Sequence, residues 1–266
     1  MCFMALVDPC FTVRLADTES DLLAAQRLRY SVFVEELGGD GPLVDHANRL
    51  ERDAFDPDFD HLVLIDERRD ANALDHVVGV YRLLSGEHAA RRGRFYSEDE
   101  YNLAQLKTSG RKLLELGRSC VHPEYRGGSA VFLLWQGLAE YITTHEVELL
   151  FGVASFHGTD VMKLAQPLSL LHHFYLVPES LRVCAWPEHR VAMDLLMRDE
   201  VDKPVAMRAV PALIKGYLRL GGYVGEGAFV DHAFNTTDIC LVMETARITE
   251  RQWAFYTRAK NDVRVK

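Results

Sequence analysis

Long hydrophobic runs are absent: no apolar stretch in the 266-residue chain reaches the ~18 residues of a membrane-spanning candidate. The most apolar segment, Ala130 to Leu138, is broken by Gln136 and Gly137. The first eight residues, Met1 to Asp8, contain no lysine or arginine, so a secretory leader is not expected. A basic excess is missing too. Lysine and arginine number 30 against 39 acids, a formal charge of −9, which argues against a general nucleic-acid binder. The five cysteines (Cys2, Cys10, Cys120, Cys184 and Cys240) are scattered and contain no Cys-x-x-Cys pair. That pattern excludes a disulfide framework or thiolate zinc site and fits reduced thiols in a cytosolic protein, at most peripheral to a membrane. Internal repeats and Ser/Gly linkers are lacking, so the chain reads as a single domain over 1–266. What is present, 48% hydrophobic and 26% charged residues, is the composition of an ordinary globular protein with a sizeable core.

Hydrophobic periodicity divides the chain into elements. Thr18-x-x-Asp21 resembles a capping box with Asp in place of Glu, and Leu22, Ala25, Leu28 and Val32 follow at helical spacing. A helix is therefore predicted from Thr18, with Arg29 beside its buried stripe and Gly38-Gly39 at its end. Residues 38–70 hold ten acids and four arginines, a local balance of −6. Strands are predicted at His61 to Asp66, Val77 to Leu84, Leu113 to Val121, Leu149 to Phe156 and Asp238 to Glu244. Helices are predicted at about Ser129 to His145, Val161 to Phe174 and Pro211 to Leu220. Strands first adjacent and then alternating with helices imply a mixed α/β sheet, not a purely doubly wound one.

The richest stretch runs from Glu115 through Gly117, Arg118, Ser119 and Arg126-Gly-Gly-Ser-Ala130. A buried strand here passes through a glycine turn directly into a helix, whose first amides and dipole favour an anion. Small residues at 127–130 would let a diphosphate approach the main chain, although no lysine sits where a P-loop needs one. Glu115 and Arg118 are three residues apart and would face opposite sides of a regular strand. A bulge at Gly117 shifts the alternation by one, turns both toward one cleft and frees an N–H for a ligand carbonyl. An ordinary strand–turn–helix is the plain alternative for the loop.

With these residues in view, the unit 112–145 resembles the acyl-donor motif of the Gcn5-related N-acyltransferase superfamily. The N-terminal half is similar to the acyl-homoserine-lactone synthases through Arg29, Glu51-x-Asp53-x-x-Asp56, Val78-Gly79-x-x-Arg82 and Glu115-x-x-Arg118. Leu149-Leu-Phe-Gly-Val-Ala-Ser-Phe-His157, Leu213-Ile-Lys-Gly-Tyr217 and Phe234-Asn-Thr-Thr-Asp-Ile239 are similar to ornithine-acyl-carrier-protein N-acyltransferases, and the likeness spans about residues 12–245. It implies an α/β (α+β) fold with a mixed, mostly antiparallel sheet flanked by helices. Residues 12–160 would form the donor-binding core, and 161–250 would complete the sheet and the acyl and carrier-protein site.

The resemblance also implies transfer of a 3-hydroxyacyl chain to the α-amino group of L-ornithine by direct attack on a thioester. The co-substrate would be the phosphopantetheine arm of acyl carrier protein, or coenzyme A, with no tightly bound cofactor and no metal. The catalytic set carried over is Glu51, Glu115 and Arg118, either carboxylate serving as base, with Glu51 preferred. Asp53 and Asp56 would receive ammonium groups, and Arg29, Arg82 or Arg118 the substrate carboxylate, with Ser119 near the thioester oxygen. Cys120, Val121, Arg126, Gly127, Gly128, Ser129 and Ala130 would form the donor site. As residues, Cys120 reads as a small core hydrophobe, the histidines lack metal-ligand spacing, and Phe132 and Trp135 read as core. Lys203, Arg208, Lys215 and Arg219, with Arg91, Arg92 and Arg94, would offer an acidic carrier a basic face or serve as dispersed solubilising charge. The competing readings are an acyl-homoserine-lactone synthase, an acetyl-CoA-dependent acetyltransferase and a non-catalytic acyl-thioester-binding module.

Overall fold

The computed structural model describes residues 11–257, so Cys2, Cys10 and the segment read for a leader lie outside the described residues. The first half runs β1 (Phe11–Leu15), α1 (Glu19–Arg29), β2 (Asp60–Asp66), β3 (Val77–Ser85), α2 (Gly86–Arg92), β4 (Tyr101–Asn102), α3 (Ala104–Lys107), β5 (Leu113–Val121) and α4 (Ala130–His145). The second runs β6 (Leu149–His157), α5 (Ala165–Tyr175), β7 (Cys184–Ala185), β8 (Arg190–Val191), α6 (Lys203–Ala209), α7 (Ala212–Arg219), β9 (Tyr223–Val224), β10 (Ala228–Asp231), β11 (Thr236–Glu244) and α8 (Glu250–Thr257). Nine strands form one sheet in the order β1-β2-β3-β5-β6-β11-β10-β8, with β9 also beside β11. The β5–β6 pair is parallel and the remaining pairs of this sheet are antiparallel. The expected mixed, mostly antiparallel sheet is what the chain forms.

Side-chain alternation gives the sheet two covered faces. Leu114, Leu116, Leu150, Ala154 and Leu241 join the core with Leu134 and Leu138 of α4, Leu168 of α5 and Ile214 of α7. The neighbouring positions Leu113, Leu149, Phe151, Cys240 and Val242 pack with Phe95, Tyr101, Leu103 and Leu106. Ala24, Ala25 and Leu28 of α1 pack with Val63 and Val80. The predicted cap is present, because Thr18 Oγ1 accepts from the Asp21 amide at 3.1 Å. Two details differ from the periodicity. Leu22 is only half-buried, whereas Arg29 is wholly buried. After Arg29 the helix widens into a π-helical turn over Tyr30–Glu36.

One departure from regularity positions the site. β5 and β6 pair only over Leu113–Glu115 and Leu149–Phe151, and then diverge. Gly152 stands at the fork, where a Cβ would run into the Leu116 carbonyl oxygen, so no larger residue fits without moving a strand. On its other edge β5 breaks register with β3 between Val80 and Arg82, setting Arg118 and Ser119 opposite the single residue Tyr81. Arg118 is left-handed, with φ 47°. This is the bulge expected near Gly117, centred one residue later. A non-glycine residue held there stores strain that the surrounding packing must hold in place.

Candidate active site

The fork encloses a cavity of about 270 Å³, bounded by 116–119 of β5 and 152–155 of β6. Its wall on the α4 and α7 side is largely apolar and includes Tyr81, Leu150, Leu213 and Leu241. The opposite wall is polar, with Tyr96, Ser97, Glu100, Glu115 and Asp238. Leu213, Tyr81 and Ser119 also line a second groove of about 1590 Å³, which runs past Cys120, Val121, Arg126 and Gly128 between α4, α7 and α8. The two spaces therefore share a wall at the bulge.

The arginines and acids singled out from the sequence form one buried network. Arg29 Nε donates to Glu51 Oε2 at 2.5 Å, and its Nη1 to Asp56 Oδ1 at 2.7 Å. Arg82 Nη1 donates to Asp53 Oδ2 and to the same Asp56 Oδ1, at 2.8 and 2.7 Å. Arg118 Nε donates to Glu51 Oε1 at 3.1 Å. Gln26 supplies a further donor to Asp56 at 2.9 Å. Three guanidiniums thus balance three carboxylates. Burial pushes the Asp56 and Glu51 carboxyls up, but the arginines outweigh it and hold both below the ordinary range. Arg29 and Arg82 are each 0% exposed and neither lines the cavity; Arg29 is taken up by Glu51 and Asp56, whereas Arg82 bonds through Nη1 alone and keeps Nε and Nη2 without a hydrogen-bond partner. Asp56 is likewise filled by Arg29, Arg82 and Gln26. Arg118 alone of the three arginines lines the cavity, ringed by Phe33, Tyr96 and Phe234 with centroids at 5.9, 5.2 and 5.2 Å.

Glu115 sits apart from this network. Its Oε2 accepts from the Tyr96 amide and its Oε1 from the Ser97 amide, each at 2.7 Å, and the Ser97 hydroxyl also donates to Oε1. Full burial pushes its carboxyl up to about 7, against the pull of those donors and of Arg82. Three donors leave Oε2 with an acceptor site to spare. Tyr96 links the two halves, because Arg118 Nη2 donates to its hydroxyl at 3.0 Å.

The strand–loop–helix supplies the other half. Gly127 takes φ 77°, and α4 begins after Ser129 without a side-chain cap, which leaves its first amides unclaimed by side chains. Arg126 is held against the rim by Glu36, through two bonds of 2.6 Å. Cys120 is buried and its thiol is pushed up to about 12, and His122 Nδ1 accepts from the Glu124 amide. A thiol so desolvated is not a nucleophile. The expected basic face divides. Arg91 and Arg92 belong to α2, whose Ala89 packs on the Phe95–Phe151 side of the sheet, whereas Lys215 and Arg219 belong to α7 on the opposite side.

Residues 28–136 match the model of the acetyltransferase (GNAT) domain. The chain is 57% identical over 255 residues to the L-ornithine N(alpha)-acyltransferase of Rhodobacter capsulatus, covering 96% of this chain and 98% of that one. It is 41% identical to the protein of the same name from Brucella abortus, covering 94% and 89%. The chain belongs to this family. It is an acyltransferase with a GNAT-type domain, as its motifs implied. Among solved structures, FeeM, an N-acyl amino acid synthase from uncultured soil microbes, is similar with TM-score 0.51 and 12% identity, covering 94% of this chain and 96% of that one. BjaI, a CoA-dependent acyl-homoserine lactone synthase, gives 0.50 and 15%, covering 90% and 81%. Those two likenesses concern the fold.

Sequence reasoning missed Tyr96, Ser97 and Glu100, which lie in a stretch without periodicity, and it quoted Phe234 and Asp238 without a role. No local signal marks the first three; their importance comes from packing against β5 and β11. Among the described residues, no helix is long and apolar enough to cross a membrane.

Proposed function

We propose that the chain transfers a 3-hydroxyacyl group from acyl carrier protein to the α-amino group of L-ornithine, giving a lyso-ornithine lipid. The observation that carries this reading is the fork, where a donor groove and a polar pocket meet across the bulge at Arg118 and Ser119. A pantetheine arm would run from the Gly127–Ala130 turn along β5, with its thioester at the bulge. The amine would enter from the polar side. Glu115 is the better proton acceptor of the two carboxylates, because a group near 7 can take a proton that Glu51, held low by three guanidiniums, would refuse. Glu51 then serves to hold Arg118.

The neutral amine attacks the thioester carbonyl and forms the C–N bond. An N–H at the bulge meets the developing oxyanion. The tetrahedral intermediate collapses, the C–S bond breaks, and the proton taken from nitrogen goes to the departing thiolate. No covalent enzyme intermediate is needed, consistent with the inert Cys120.

The test is purified protein with a 3-hydroxyacyl-acyl carrier protein and L-ornithine, read by mass spectrometry. Nα-acylornithine and free carrier thiol are expected. Product from the coenzyme A thioester alone would remove the carrier protein, and an acyl-homoserine lactone from S-adenosylmethionine would replace the reading. The groove bearing Arg126, Arg219 and Arg251 is the side from which an acidic carrier would approach. Arg219→Glu is therefore expected to slow carrier association about tenfold at low salt and much less at high salt, as stopped-flow binding would record.

A further inference from the structure

We propose that Glu100 and Asp238, with Asp231 behind them, form the receptor for the side-chain ammonium of the acceptor amino acid and set the preference for a diamino acid. This rests on the ornithine reading above and deepens it. All three acids line the fork cavity, and Glu100 and Asp238 lie on its polar wall with Glu115, away from the α4 and α7 side.

Asp238 is only 4% exposed, yet its Oδ1 has no hydrogen-bond donor, and the buried Oε2 of Glu100 has none either. The other buried acids around the fork are all satisfied: Glu51 and Asp56 by arginines, and Glu115 by Tyr96 and Ser97. A buried carboxylate oxygen without a donor is costly in a folded protein, and two beside one cavity mark the seat of a cationic ligand.

The frame around them is fixed. The Tyr101 hydroxyl donates to the Asp238 carbonyl at 2.9 Å and to the Gly227 carbonyl at 3.0 Å, and the Trp186 amide donates to the Glu100 carbonyl at 2.9 Å. Asp231 is oriented by the amides of Ala233 and Phe234, at 2.7 and 3.1 Å. Burial and the neighbouring acids push both Glu100 and Asp238 up, Asp238 to about 6, against the pull of the Ser155 and Thr236 hydroxyls on Asp238 and, more weakly there, of Arg118 on both. Mutual repulsion of this kind is what an ammonium relieves. An amino acid whose carboxylate faces Arg118 and whose side-chain ammonium reaches Glu100 and Asp238 leaves its α-amine at the bulge, between Glu115 and the thioester.

The test compares L-ornithine with norleucine, which replaces the side-chain ammonium with a methyl group, in wild type, Asp238→Asn and Glu100→Gln. Wild type should favour ornithine at least about a hundredfold in kcat/KM, the scale on which a buried polar site rejects an apolar analogue. Each variant should raise the ornithine KM about tenfold or more and shrink the preference for ornithine over norleucine by a similar factor. An unchanged preference in both variants, or equal losses on both substrates, overturns the proposal and leaves the ornithine reading intact. If wild type makes no acylornithine, that reading falls and this one with it.

Discussion

Arg29→Met is expected to lose about 3–5 kcal/mol of folding stability, the scale for removing one partner of a buried ion pair. Methionine matches the volume, so the cost is electrostatic. Arg29 is 0% exposed and joins Glu51 to Asp56 beneath the fork. Without it, the buried Glu51 and Asp56 and the half-buried Asp53 face two guanidiniums. A loss of this size is a large share of the about 5–15 kcal/mol that stabilises a typical domain. Urea unfolding should show the midpoint falling with little change in slope. Arg29→Met combined with Glu51→Gln restores neutrality and should recover part of the loss; a double variant as unstable as the single one would mean that packing, not charge, dominates. The network also sets an acid limit. Glu51 and Asp56 are held below their unfolded values, so their contribution is complete above about pH 5 and fades as pH falls through 4 and below.

Glu115→Gln is expected to lower kcat by about 10²–10⁴, the range for loss of a general base. In wild type kcat/KM should rise through an apparent pKa near 7, with the ionisation of the amine itself as a second limb. The variant should keep the amine's limb and lose the lower one. Its stability should move the other way from its activity. The Glu115 carboxyl is raised above its unfolded value, so the neutral form favours folding below about pH 4.5, and that advantage disappears as pH rises through 7. A glutamine keeps the uncharged state throughout, although its amide group must face the Tyr96 and Ser97 donors. Wild-type turnover and an intact lower limb in Glu115→Gln would transfer the base to another group.

Much of this was legible in the sequence, and the limits have physical causes. β5 lies at Leu113–Val121 as predicted: periodicity alone left a buried helix open for this short run, and the Pro123 and Gly127-Gly128 turn that follows it favoured a strand. The bulge was legible because Glu115 and Arg118 cannot both leave the core of a regular strand. The two-residue strands β4, β7, β8 and β9 were not, since each is held by a partner remote in sequence. The acidic stretch 38–70 illustrates the same limit. Charge alone suggests a solvated face, yet Glu51, Asp56 and Asp66 are buried, because Arg29 of α1 and Arg82 of β3 reach the first two and Arg68, two residues on, folds back onto Asp66. Sequence can nominate such residues, but only the fold decides whether they meet a ligand or one another. For Arg29 and Arg82 they meet one another.

The account is tested most directly by a crystal structure of the protein with a non-hydrolysable pantetheine ketone that carries a 3-hydroxyacyl chain. The arm should thread between β5 and β6, with its carbonyl oxygen at the Arg118–Ser119 bulge and its phosphate end at Gly127–Ala130. An arm bound elsewhere, with the fork closed or filled by side chains, would contradict it.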